Sequence, residues 1–380
     1  MKGVIITHPG MEAVSGKEVK ELIGADCKVS DSVVLFDVKK LEELCTLSYC
    51  SQSAIKVVYL LFSSSIKKLD DVLLKIKDLD LSEWLKGKSF VVRSKVIDND
   101  AVDTMESERE IGNVIYEKYN KSIGTTVNLD KPDITFFAYI FKDAFYFGVD
   151  FAGFDTSKRN YRIFCQSDSI KGTVAYGLVR ISGYDGKQSL LDPFCQSGTV
   201  AIEAAFFASK KPINFYSKDK FAFLKFPQFE KFDFDKFFAK LDKLSEPSLS
   251  ITCSDSQQRN VKAAEKNAKI AGLNKLVRFS RLDVEWLDTK FEKNSVDLIV
   301  SNPPKVSRLL TEKGLDKIFQ EFFYTADFIL KPKGKIVILV KSYAQILNQA
   351  QRYNFALRSK FPVHQGKEEF NILIFEKEKK

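Results

Sequence analysis

Two short stretches carry side chains whose types and spacing could do chemistry: Asp192-Pro-Phe-Cys-Gln-Ser-Gly-Thr199 and Asn302-Pro-Pro-Lys305. The first follows a short apolar run and leads into a helix beginning near Thr199. Gly198 would let backbone approach a ligand, and a helix start offers free N–H groups and a positive dipole. An acidic residue opening such a loop suits a ligand with an ammonium group, although an ordinary strand-to-helix turn reads the same way. In the second stretch, two consecutive prolines remove N–H groups and hold the chain extended, so that carbonyl oxygens point outward. The Asn302 side-chain oxygen and a proline carbonyl can then accept two hydrogen bonds from an exocyclic amine. That would turn the nitrogen lone pair toward an electrophilic methyl group. Positioning supplies much of the acceleration in such a transfer, so no metal or strong base is called for. In this order, the two stretches point to methyl transfer from S-adenosylmethionine to a planar amine.

Other carboxylates fall where such a cofactor needs them. Asp255 with Ser256 ends an apolar run just before a helical segment, Gln257 to Ala271. A carboxylate there could accept both ribose hydroxyls, or either residue could cap the helix. Asp283, followed by Val284, comes after the next apolar run and could accept the adenine amino hydrogen; Asp288 is its rival. No GxxxxGK[ST] sequence occurs, so a nucleoside triphosphate site has no support.

These loops need a parallel sheet to hold them. Strand–helix alternation is read from about Ser169 to the end, with strands at Ser189–Asp192, Leu249–Ser254, Val277–Arg281, Val296–Val300 and Lys335–Val340. A final hairpin pairs Pro362–Gln365 with Asn371–Phe375. Before it, Gly3–Thr7, Ser32–Asp37 and Val57–Ser63 read as strands, with helices at Gly16–Ile23 and Lys40–Cys45. Next come a helix at Lys67–Leu79, a strand at Ser89–Val96, and a helix at Glu108–Asn120 opened by a capping box of Ser107 and Glu110. Strands at Val127–Leu129, Ile134–Phe141 and Ala144–Phe151 follow. The periodicity lapses between Gly153 and Asp168, which marks a domain boundary. Phe206 to Phe238, crowded with Phe and Lys, is either a base-stacking surface or an aromatic core insertion.

Composition sets the outer limits. The 380 residues are 44% hydrophobic and 29% charged, ordinary for a globular chain of two or three domains. The 59 basic and 50 acidic side chains give +9, consistent with a polyanionic partner or with solvated lysines. Six cysteines without a CxxC pair, and only His8 and His364, make a zinc site improbable and suit reduced thiols in the cytoplasm. No run of about 18 apolar residues occurs, and Met1–Thr7 reads as a domain edge rather than a signal peptide.

The whole chain resembles the THUMP-domain RNA methyltransferase family. The resemblance rests on the two stretches above and on Thr7-His-Pro-Gly-Met-Glu12, Phe151 to Phe164, Ser169-Ile-Lys-Gly-Thr-Val-Ala-Tyr176 and Phe221-Ala-Phe-Leu-Lys-Phe-Pro-Gln-Phe229. It implies an α/β fold in which a Rossmann-like class I methyltransferase domain with a mostly parallel seven-stranded sheet follows an α+β ferredoxin-like and THUMP region. The implied boundaries are 1–65, 66–155, a linker and leading helix over 156–182, and 183–380. The implied cofactor is S-adenosylmethionine, lined by Asp192, Pro193, Phe194, Cys195, Ser197, Gly198 and Thr199, with Asp255 and Ser256 at the ribose and Asp283 and Val284 at adenine. Asn302, Pro303 and Pro304 would be catalytic, and Lys305 would meet the target base. The implied partner is tRNA, gripped by a monomeric cytoplasmic enzyme that methylates guanosine N2, guanosine 6 in the best match. An rRNA guanine-N2 methyltransferase and an RNA-binding module without activity are the other readings. The chain departs from the family pattern at Gln196, usually Gly, at Lys305, usually a stacking aromatic, and at Val306, usually Gly.

Overall fold

The structure, a computed structural model, describes residues 1–166, 169–243, 248–366 and 368–378. The expected boundary ends at Asp168, which lies outside the described residues. The chain divides into two compact units. One gathers Met1–Thr7, Ser15–Thr156 and Asn214–Asp242, and the other His8–Val14, Ser157–Ile213 and Lys243–Lys380.

The first unit is built on a sheet of β1 (Lys2–Ile6), β2 (Cys27–Ser30), β3 (Val33–Asp37), β4 (Lys56–Ser65), β5 (Ser89–Ile97), β6 (Thr126–Val127), β7 (Ile134–Phe141) and β8 (Ala144–Asp150). Its order is β2-β3-β1-β4-β8-β7-β5-β6. Strand β2 is absent from the sequence reading because three of its four residues are exposed, which erases any apolar alternation. The helix expected from Glu108 begins earlier, at Thr104, and Asp103 caps it by accepting from Glu106 N at 2.9 Å. Ser107 lies inside this helix, buried, with its hydroxyl on Thr104 O and Ser94 Oγ. The capping-box expectation fails because Asp103 offers the same chemistry one turn upstream.

The Phe- and Lys-rich segment is core. Its 3₁₀ turns Phe215–Lys220, Ala222–Lys225 and Pro227–Phe229 and the helix Phe234–Leu241 bury Phe221, Phe223, Phe226, Phe229 and Phe238. Phe221 stacks on Phe223 with centroids 4.7 Å apart, and Trp84 meets Phe226 edge-on at 5.4 Å. Residues 214–242, inside the expected span 183–380, therefore pack as part of the first unit.

The second unit holds β9 (Leu190–Asp192), β10 (Ile251–Asp255), β11 (Val277–Arg281), β12 (Val296–Ser301), β13 (Leu330–Val340), β14 (Phe355–Gln365) and β15 (Glu368–Lys377). They form one seven-stranded sheet in the order β11-β10-β9-β12-β13-β15-β14. The first five strands pair in parallel, and β15 runs antiparallel to both β13 and β14. The expected closing hairpin is present and longer than its apolar residues announce. Chain order reverses between β9 and β12, the switch point where open α/β sheets form a crevice at their carboxyl ends.

Candidate active site

Strand β9 is three buried residues, hydrogen-bonded on both sides, and it delivers Asp192 to the middle of this crevice. Asp192 Oδ1 accepts from Ser301 Oγ at 2.5 Å, across from the end of β12. Burial pushes this carboxyl up to about 7, and the neighbouring Asp255 adds to the rise; the Ser301 hydroxyl and Phe194 N–H pull the other way. Asp192 is thus a carboxyl that ionises near neutrality and gains from a cation placed beside it.

The loop that follows is fixed at each end by backbone bonds. Cys195 N donates to Ser254 O at 2.9 Å and Gly198 N to Cys195 O at 2.7 Å. Two residues take left-handed φ, Gln196 at 48° and Gly198 at 77°. Glycine adopts that region freely, so the loop demands at position 196 the residue that this chain lacks. At Gly198 the reason for glycine differs from the expected approach to a ligand. A Cβ there would come within 2.7 Å of Ala264 Cβ, so the missing side chain lets the helices Thr199–Ser209 and Gln258–Ala271 close up.

Asp255, at the end of β10, is buried and turned inward. Its Oδ1 accepts from Gln257 N at 2.9 Å and Asn260 Nδ2 at 3.0 Å, and its Oδ2 from Gln196 N at 3.1 Å. It therefore ties the loop to the head of the next helix. Beyond the Gln196 N–H, Oδ2 has a second lone pair that a hydroxyl could donate to. Burial raises the Asp255 carboxyl and nearby Asp283 adds to the rise, so these two acids share one electrostatic neighbourhood. Asp283 is exposed after β11 and caps a 3₁₀ turn through Val284 N at 2.6 Å; Val284 is buried and Ser256 exposed. Asp288 lies on the short helix Leu287–Lys290.

Asn302-Pro303-Pro304 leaves β12 directly, so Ser301 and Asn302 place the second stretch beside the first. Gln196 Nε2 donates to Asn302 O at 3.3 Å, joining the two loops. Asp192, Phe194, Cys195, Gln196, Ser197, Thr199 and Asn302 line one small cavity with Ser169 and Ile170. Pro193 is buried in the same loop. Lys305 and Val306 are exposed, and Ser307 Oγ accepts from Leu309 N and Leu310 N to shape the turn beyond them.

Three positioning residues have no signature in a single sequence. Glu203, wholly buried on the helix Thr199–Ser209, accepts from Arg159 Nε at 2.7 Å and Tyr161 Oη at 2.8 Å. Asn267 brackets Phe164 through both its backbone groups and donates to Ser197 O at 3.0 Å. Ser301 is the donor to Asp192. Each looks unremarkable until the partner is known, for the partners lie between 42 and 109 residues away.

A cofactor with an ammonium group, ribose hydroxyls and an adenine amine would need a row of acceptors, and Asp192, Asp255 and Asp283 stand at or just beyond the ends of three adjacent strands. The Ser197 hydroxyl lies 2.9 Å from that of Ser169 and 3.2 Å from that of Thr199, and all three residues line the cavity with Asp192. Buried acceptors, loop and acceptor dipeptide together define a class I methyltransferase domain. The family described as RMKL-like, methyltransferase domain matches residues 159–370, and the THUMP domain matches residues 67–150. The chain belongs to the RMKL-like methyltransferase-domain family. It is 26% identical to the tRNA (guanine(6)-N2)-methyltransferase of Methanocaldococcus jannaschii, over 97% of this chain and 96% of that protein. It is also 26% identical to the protein of the same name from Archaeoglobus fulgidus, over 90% and 84%. Among solved structures, SMU.472 complexed with SAH superposes with a TM-score of 0.83 at 23% identity, covering 100% of this chain and 98% of that one. TrmN from Thermus thermophilus gives 0.71 at 23%, covering 99% of each. Both carry the same fold. Among the described residues no helix is long and apolar enough to cross a membrane.

Proposed function

We propose that this chain transfers a methyl group from S-adenosylmethionine to the exocyclic N2 of a guanosine in tRNA, guanosine 6 in the first instance. The carrying observation is Asn302-Pro303-Pro304 held at the end of β12, bridged through Ser301 to Asp192. Bound cofactor supplies an electrophilic methyl on a positively charged sulfur. Asp192 faces its ammonium group, the spare lone pair of Asp255 its ribose, and Asp283 its adenine amine. The Asn302 side-chain oxygen and the Pro303 carbonyl accept the two N–H bonds of the guanine amine. That pairing turns the two N–H bonds toward the acceptors, reduces the lone pair's conjugation with the ring and aims it at the methyl. As the N–C bond forms, the methyl–sulfur bond would break with its electron pair staying on sulfur, S-adenosylhomocysteine would leave as the neutral thioether, and the amine would shed one proton to solvent while the two acceptors hold the nitrogen in place.

The choice of tRNA and of guanosine 6 rests on the two archaeal relatives, whose name carries both and of whose lengths this chain covers 96% and 84%. The THUMP match places an RNA-binding type of domain ahead of the site. Lys305 stands where an aromatic would stack on the base; its stem can cover a base face while its ammonium meets phosphate.

The deciding experiment is nucleoside mass spectrometry of tRNA after incubation with purified protein and labelled cofactor. N2-methylguanosine at position 6 is the expected product. In the Asn302→Ala variant, transfer drops by at least a hundredfold while affinity for S-adenosylhomocysteine stays within twofold. Full activity in that variant would refute the assigned role of Asn302.

A further inference from the structure

We infer that Gln196, the residue standing where the loop's backbone asks for glycine, is a positioning residue that joins cofactor binding to placement of the acceptor amine. The inference rests on the functional reading above and goes beyond it, since nothing in that reading requires a side chain at position 196.

Gln196 is held in left-handed φ at 48°, a conformation that strains a non-glycine residue. Its backbone N–H is committed to Asp255 Oδ2 at 3.1 Å, which locks the peptide in that conformation. Its side chain crosses to the other loop, where Nε2 donates to Asn302 O at 3.3 Å. A carbonyl can receive only the NH₂ end of the amide, and this fixes which way the carboxamide points. Oε1 is then left buried, with no hydrogen-bond partner among the described residues, on a residue that lines the cavity together with Asp192, Ser169 and Asn302. A buried unpaired acceptor is destabilising, because it has given up its bond to water and gained none in return. That cost is recovered when a donor arrives, and the donor this cavity is built for is the cofactor's ammonium group. One carboxamide thus reads the cofactor with its oxygen and steadies the backbone of the amine-binding Asn302 with its nitrogen.

Crowding is the rival account: a side chain in a glycine position that merely fills room the cofactor needs. Two variants of the full-length protein separate the accounts. Gln196→Gly removes the side chain and suits the φ, so it folds. Gln196→Met keeps the volume and loses both hydrogen-bonding ends. Calorimetric titration with S-adenosylhomocysteine should show both variants weakened about tenfold, and at saturating cofactor both should lose kcat without change in KM for tRNA. The melting temperature of unliganded Gln196→Gly should rise as the strain and the unpaired oxygen are removed together. Affinity unchanged or tighter in Gln196→Gly overturns the inference in favour of crowding. Unchanged kcat in Gln196→Met overturns the link to Asn302. Failure of the unsubstituted chain to bind S-adenosylhomocysteine would sink the functional reading and this inference together, whereas binding unaffected by either variant sinks the inference alone.

Discussion

Asp192 is the residue whose protonation should be measurable in solution. Its carboxyl is pushed up to about 7 in the folded chain, against about 4 in an unfolded one. Between those values the folded state keeps a proton that the unfolded state has released, so stability falls as pH rises from 4 to 7 and levels off above. The cost in unliganded protein is on the order of 4 kcal/mol. A ligand's ammonium group works in the opposite sense by favouring the ionised carboxylate. Affinity for S-adenosylhomocysteine should therefore climb from pH 6 to pH 8, as calorimetry at several pH values would show. Asp192→Asn should flatten that dependence, weaken binding, and make the unliganded protein more stable at pH 8. A variant with the same pH profile as the parent would remove Asp192 from the site.

At the scale of the element, the helix Thr199–Ser209 depends on a residue that never touches ligand. Its N-cap, Gly198, has no side chain to offer, and the helix is buried on nearly all sides. Glu203 anchors it from within by pairing with Arg159 and Tyr161. Glu203→Ala strands the Arg159 guanidinium in the interior, an error that costs about 3–5 kcal/mol. Urea denaturation should register that loss, and cofactor affinity should fall with it because the loop leans on this helix. The elements themselves were legible wherever the run is apolar: β7, β8 and β12 follow from pattern alone, whereas the strand order that makes the crevice does not. β2 was not, being exposed along most of its length, and the cap expected at Ser107 lies instead at Asp103, four residues upstream. Asp192 and Asn302 announce themselves by type and neighbour. The inward turn of Asp255 and the partners of Glu203 and Asn267 depend on long-range closure, which no local window contains.

At the scale of the whole molecule, the two units partition the aromatic content unevenly. Phe223, fully buried, stacks with Phe221 and Phe234 in the first unit. Phe223→Ala should cost that unit about 3–5 kcal/mol. The chain's two tryptophans make the effect separable, since Trp84 is buried in the first unit and Trp286 exposed in the second. In a Trp286→Phe background, Trp84 fluorescence should show the first unit unfolding at lower urea. If the midpoint is unmoved, the aromatic segment is a surface appendage rather than core.

That segment, Asn214–Asp242, is also separated from the rest of its unit by the strand and helix that open the catalytic sheet. On the ribosome, the first unit emerges without its own aromatic floor and must wait several seconds for it, at about 5–20 residues per second. Through that interval Trp84 and Phe151 lack Phe226, the ring that meets both of them edge-on, and the loop after β9 has already been made. The two halves of this protein therefore cannot mature one after the other as separate beads on a string; their folding is interleaved in time because their sequences are interleaved in space.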